Sequence, residues 1–291
     1  MTVQNENSNI IVFVALAALV SSIFYTLIIG AGHVGAGAGL YVTGLMWSPA
    51  VAAFLTVYIK RLDVRSLGLN WGGNRYALLA YAMPIAYAAI AYALIWIFGS
   101  GFFPDPAAIA SLSQRLGWHI TAPALFVPLY FVLIGSTKII VAVAHALGEE
   151  IGWRGFLAPR LVARFGFTWG TVLLGAIWGA WHVPLLLFAD YNSGTPWWFA
   201  LPCFCALTIG LSVIMTWLRL VSNSVWPCAI LHASHNLFIQ GFFTPLTGAR
   251  GQFTSYVIDE FGVAVPAVIL LFALLFWFRR NTPTAIPHGK R

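Results

Sequence analysis

The chain has 291 residues, 60% of them hydrophobic and only 8% charged, with a formal charge of +7 and a mean hydropathy of +0.85. A soluble domain carries about a quarter charged residues, so the composition excludes an ordinary soluble fold and points to an all-α polytopic membrane protein. The basic residues stand in loops between apolar runs, where they act as topology signals rather than as a nucleic-acid footprint.

Residues 1–9 are polar and lack the basic start of a secretory signal, so they read as a tail before a retained first helix at 10–30. A glycine-rich turn at 32–39 leads to a second span at 40–59, then a basic loop with Lys60, Arg61, Arg65 and Arg75, and a third span at 76–98. Asp105-Pro106 has the form of an N-cap followed by proline at the first helical position, predicting a short interfacial helix at 107–118. The fourth apolar run, 123–147, is interrupted by Gly135-Ser136-Thr137-Lys138, and hydropathy leaves open whether it is one helix or a broken one.

Residues 156–165, with Arg160 and Arg164 one turn apart, read as an amphipathic surface helix. Further spans are expected at 168–188, 197–218, 225–243 and 262–278, making about eight in a single domain over 10–278, followed by a basic, disordered tail at 279–291. On this count one face receives Lys60, Arg61, Arg65, Arg75, Arg154, Arg160, Arg164, Arg219, Arg279, Arg280, Lys290 and Arg291. The other receives only Arg115 and Arg250, with Asp105, Asp190, Asp259 and Glu260. The positive-inside rule then puts both termini in the cytoplasm, and the cell membrane is the expected location.

Against this apolar background His145-Ala-Leu-Gly-Glu149-Glu150-Ile-Gly-Trp-Arg154 is the stretch that needs a reason. A charge at membrane depth costs about 2.5–3.5 kcal/mol on insertion scales and by default marks function. Arg154 follows Glu150 by four residues, which suits a helical ion pair, while Glu149 is rotated about 100° away and is free to face a cavity. Two other spans carry polar groups: Trp178-Gly-Ala-Trp-His182, and His232-Ala-Ser-His235-Asn236, in which His232 and Asn236 share a helix face.

A lone histidine in a membrane helix reads most simply as a packing residue. His182, His232 and Asn236 taken with a double glutamate do not read so simply. His145, four residues before Glu149, reads first as a hydrogen-bonding neighbour of it, with a direct role left open, and the same holds for His235. His33, His119 and His288 fall in loops; Gly175 and Gly179 form a helix-packing pair; Lys138 has no assigned role. Cys203, Cys205 and Cys228 have no metal spacing and serve as small core residues.

Glu149-Glu150-x-x-x-Arg154, an aromatic-x-x-x-His182 and His232-x-x-x-Asn236, in that order, resemble the three-motif signature of the CAAX prenyl protease and bacteriocin-processing family, also called Abi or CPBP. The resemblance covers about 147–238; Trp178 stands where the second motif usually has phenylalanine, a swap expected to alter cavity shape more than chemistry. It implies an eight-helix intramembrane endopeptidase with a cavity open to the cytoplasmic side. Glu149 would activate water, His182 would position it, His232 and Asn236 would stabilise the oxyanion, and Glu150 with Arg154 would support them.

Elementary chemistry is compatible, since peptide hydrolysis needs a base for water and donors aimed at the developing oxyanion. Glu149, His182 and His232 are also candidate ligands for Zn²⁺. The short His-Glu-x-x-His motif is absent, and a metal-independent glutamate mechanism is the preferred expectation. The expected partners are membrane lipid and a peptide or prenylated protein C-terminus, with no nucleic acid. A non-enzymatic immunity or scaffold protein of the same family, and a proton-coupled transporter relaying through the same groups, are the competing classes. Inverted repeats that would favour the transporter are not evident. One geometric demand stands out: His182 lies about 21 Å beyond residue 168, but His232 only about 10 Å beyond 225, so the fifth helix must begin outside the bilayer or tilt.

Overall fold

In the computed structural model, which describes residues 3–281, ten α-helices and a minimal sheet make up the chain. They are α1 (Val3–Ala31), α2 (Leu40–Ile59), α3 (Asn74–Ile97), α4 (Pro106–Leu116), α5 (Pro123–Leu133), α6 (Ile139–Glu150), α7 (Ala158–Phe188), α8 (Trp197–Ser222), α9 (Trp226–Phe238) and α10 (Ala264–Phe278). The two strands, β1 (Gly101–Phe102) and β2 (Gly248–Ala249), pair antiparallel and tie together the α3–α4 and α9–α10 connections.

The surface is apolar where a soluble protein would be polar: Ile11, Leu19 and Ile23 of α1 and Leu271, Leu274 and Leu275 of α10 are exposed, while Glu149, Glu150 and Arg154 are buried. Such an arrangement suits lipid around the bundle and polar chemistry within it. Five helical stretches are long and apolar enough to cross a membrane: 6–31, 36–59, 74–97, 123–188 and 197–222. The fourth of these, at 66 residues, would measure about 99 Å if straight, against a hydrocarbon core of about 30 Å. It therefore contains more than one pass. The break is at Gly166, whose φ of 74° and ψ of 170° depart from the helix. Beyond it α7 folds back so closely that a Cβ on Gly170 would lie 2.9 Å from the Leu161 carbonyl. With α9 and its continuation to Phe243, and α10, the segments match the eight expected from hydropathy.

The interrupted fourth run is a single helix with a widened turn: Ile134–Lys138 is a π-helical segment between α5 and α6, and Ile151–Leu157 is a second between α6 and α7. π-Turns of this kind are frequent at functional sites because they re-aim side chains within a continuous helix. Lys138, in the first, lies exposed with its ammonium 5.7 Å from the Tyr130 ring centroid, a cation–π contact. Asp105 caps α4 as the sequence suggests, Oδ1 accepting from Ala107 N at 3.0 Å. The polar residues from Val3 onward are part of α1 rather than a separate tail. Glu6 lies 3.6 Å from Arg160, and Lys60 Nζ donates to Ser8 Oγ at 2.8 Å, so α1 begins on the face of the basic loops. Trp217 Nε1 donates to Arg279 O at 3.1 Å, which brings the end of α10 to that face too. The tail from 282, with His288, Lys290 and Arg291, lies outside the described residues.

Two of the expected topology charges are interior groups. Arg154 is fully buried in the bundle, and Arg219, also buried, donates to Ser66 O at 2.9 Å and Asn223 Oδ1 at 3.1 Å. Each satisfies polar atoms inside the protein.

Candidate active site

Gly166 turns the chain into a helical hairpin whose arms are of nearly equal length on either side. Residues at similar distances from it face each other: Leu161 meets Gly170, and Arg154 stacks on Trp178. Going out from Glu150 to Gly166 and back to His182 covers about 24 Å in each direction. The part of α7 that carries His182 thus begins far from the site, about 24 Å away at Gly166.

α6 approaches α2 through two glycines. A Cβ on Gly148 would lie 2.7 Å from Met46 O, and one on Gly152 would lie 2.7 Å from Pro49 O. Only glycine permits this approach, which presses Glu149 and Glu150 into the bundle between α2 and α9. Across α7 and α8, Gly175 and Gly179 play the packing role expected of them, with Ile209 and Thr208 in the space their side chains would take.

The adjacent glutamates diverge as their helical offset requires. Glu150 Oε1 accepts from Arg154 Nη1 at 2.9 Å and lies 2.9 Å from His232 Nδ1. Arg154 Nη2 donates onward to Ser212 Oγ at 3.1 Å. Both partners of this ion pair are fully buried, and removing one member of such a pair costs about 3–5 kcal/mol because the other charge is stranded. Glu149 instead accepts at Oε2 from Trp178 Nε1 at 2.9 Å and lines a cavity.

Trp178 is more than a swap of cavity shape. Its indole N–H donates to Glu149, its face carries the Arg154 guanidinium at 4.2 Å, and its edges meet His182 and His232 at 5.9 and 5.4 Å. A phenylalanine could keep the ring contacts but has no proton to give.

His182 Nδ1 lies 2.9 Å from Trp178 O. A carbonyl only accepts, so Nδ1 carries hydrogen and the neutral ring presents Nε2 as a lone pair. His232, with Nδ1 given to Glu150, presents Nε2 as an acceptor when neutral and as a donor when it is an imidazolium.

Glu149, His182, His232 and Asn236 all line one cavity of ≈ 190 Å³, with apolar walls that include Leu45, Met46, Phe204, Leu207 and Leu211. Val34, Tyr191 and Glu260, from the connections on the face opposite the basic loops, form part of its wall, and exposed Gln240 beyond α9 belongs to the rim. The sequence led us to expect access from the basic-loop side, whereas these wall residues come from the other. His145 turns away from Glu149 to Thr43, 3.3 Å from its hydroxyl.

The sequence reading missed Glu260. Expected as an external loop charge, it is instead buried and lines the cavity beside His235, whose Nε2 lies 2.8 Å from Glu260 Oε1. Asp259 is buried beside it. Burial alone would raise the Glu260 carboxyl, but the hydrogen bond and charge of His235, with bonds from Gln240 and Tyr191, hold it below its usual range. Burial and the charge of Glu260 push Asp259 up to about 6. The same two causes push the Tyr191 phenol well above its ordinary value, which keeps it a donor. A signal was present: a second acidic pair abutting an apolar run, like Glu149-Glu150.

The metal ligands considered from sequence, Glu149, His182 and His232, line one cavity. Among the described residues no three His, Cys, Asp or Glu side chains take up positions that would hold an ion. His182 and His232 do have the outer-shell partners of ligating histidines, a carbonyl and a carboxylate. Among the described residues no third ligand completes a site with them.

Residues 132–238 match the family model described as type II CAAX prenyl endopeptidase, Rce1-like. A curated relative, CAAX prenyl protease 2 of Methanococcus maripaludis, is 29% identical over 119 residues, covering 38% of this chain and 40% of the relative. The matched stretch is therefore less than half of that relative's length. All six motif residues, from Glu149 to Asn236, fall within the family match.

Proposed function

We propose, from the match of residues 132–238 to the type II CAAX prenyl endopeptidase model, that this integral membrane protein hydrolyses a peptide bond within the membrane. The observation that carries the reading is Glu149, a carboxylate only 2% exposed that faces the cavity holding His182, His232 and Asn236. Trp178 fixes one carboxylate oxygen, and the other is left for a water. Glu149 takes a proton from that water, and His182 orients it through Nε2. As the tetrahedral intermediate forms, Asn236 and the imidazolium form of His232 donate to its oxyanion, and on its collapse the C–N bond breaks as Glu149 returns the proton to the leaving amine. Glu150 and Arg154 hold His232 in place.

The substrate is a peptide near the C-terminus of a prenylated or membrane-associated protein, whose apolar part the cavity walls suit. The protein resides in the cell membrane with both termini cytoplasmic, in accord with its basic face. The mechanism needs no metal.

The test is purified protein in lipid vesicles with a quenched fluorescent farnesylated CAAX peptide. Glu149→Gln keeps an oxygen for Trp178 but removes the base, so cleavage should fall by about 10²–10⁴-fold with the fold intact. Undiminished cleavage by Glu149→Gln would overturn the reading. Zinc content measured on the same active preparation tests the metal arm: activity that rises and falls with bound zinc would replace water activation by Glu149 alone.

A further inference from the structure

The α7–α8 and α9–α10 connections meet at the His182 end of the cavity. Ser193 Oγ donates to Asp259 Oδ2 at 2.5 Å, and the Tyr191 phenol donates to Glu260 Oε2 at 3.1 Å. Glu260 is held from behind by His235, and the Tyr87 hydroxyl lies 2.6 Å from His235 Nδ1. A carboxylate only accepts, so His235 donates through Nε2–H, and the Tyr87 hydroxyl completes the ring's bonding at Nδ1. Every member from Tyr87 to Tyr191 is satisfied.

Joining two connections does not require this array, since Ser193 and Asp259 already do so. What it controls is Tyr191. His182 is boxed in by four rings. Trp181 and Phe204 meet it at 4.8 Å and Trp178 at 5.9 Å, all with steep interplanar angles of 63–88°. Tyr191 alone lies along its face, with centroids 5.8 Å apart and planes at 21°. The other three rings stand on helices, but Tyr191 is on a connection and takes its position from its hydroxyl.

We propose that Tyr191, anchored by Glu260 and through it by His235 and Tyr87, is a positioning residue that fixes the plane of the His182 ring and so the direction of Nε2. The proposal rests on the hydrolytic role given to His182 above, but it is testable without substrate.

Protein labelled with [¹⁵N]histidine is examined by NMR in detergent. In the wild type His182 should show one neutral tautomer with hydrogen on Nδ1. Tyr191→Leu and Glu260→Leu should each mix or broaden that signal. Tyr191→Phe, which keeps the ring, and Glu260→Gln, which keeps an acceptor, should recover part of it. In peptide cleavage Tyr191→Leu should lower kcat about tenfold with KM within about threefold, and Glu260→Leu should add nothing in the Tyr191→Leu background. An unchanged His182 signal in all four variants overturns the proposal, as do independent, fully additive effects on kcat. A wild type that cleaves nothing while its His182 signal responds as expected defeats the hydrolytic reading and leaves the positioning role standing.

Discussion

A phenylalanine at position 178 would keep the aromatic contacts with His182, His232 and Arg154 but leave Glu149 Oε2 without its donor. Stranding a buried acceptor costs about 1–3 kcal/mol, so Trp178→Phe is expected to reduce the cleavage rate on the order of 10- to 100-fold. A rate equal to wild type would show that the bond is idle. Asp259 makes a separate claim. Its folded value of about 6 lies above the ordinary 3.8, so folding takes up a proton between the two. Its contribution favours the folded state below that window and is lost as pH rises through it. Asp259→Asn should therefore flatten the fall in thermal midpoint between about pH 4 and pH 6. A curve with the wild-type slope would contradict this.

Among the elements, the approach of α6 to α2 decides whether the carboxylates are buried. Gly152→Val would drive a branched side chain into the Pro49 backbone, which cannot retreat as a flexible side chain can. Overpacking of this kind costs about 1–3 kcal/mol, and the expected result is a lower thermal midpoint and lost cleavage. A normal midpoint with normal cleavage would mean that the helices part without harm. The helix count and the division of labour between Glu149 and Glu150 were legible in the sequence, since both follow from periodicity and hydropathy. The break at Gly166 was legible too, but not how closely the two arms fold back on each other, because a glycine in a helical run does not announce its φ. Nor was the continuity of the fourth run, since a π-turn has the same composition as a break.

For the whole molecule, the surviving charge asymmetry makes a topological prediction. With Arg154 and Arg219 removed as interior groups, Lys60, Arg61, Arg65, Arg75, Arg164 and Arg280 still share one face, with the start of α1 and the end of α10. A reporter inserted at exposed Gly251 should therefore read as external, and one at exposed Arg65 as cytoplasmic. The reverse pattern would invert the protein and the side from which substrate arrives.

By itself the sequence determined a bundle of membrane helices, because hydropathy is a local property that survives without neighbours, and its resemblance to a known signature singled out the six motif residues. Only the tertiary structure decided that Trp178 donates to Glu149, that Glu150 holds His232, and that Glu260 and Tyr191 reach the same cavity. Those contacts join residues 29, 82 and 69 positions apart, and no local pattern encodes a meeting that depends on how eight helices cross.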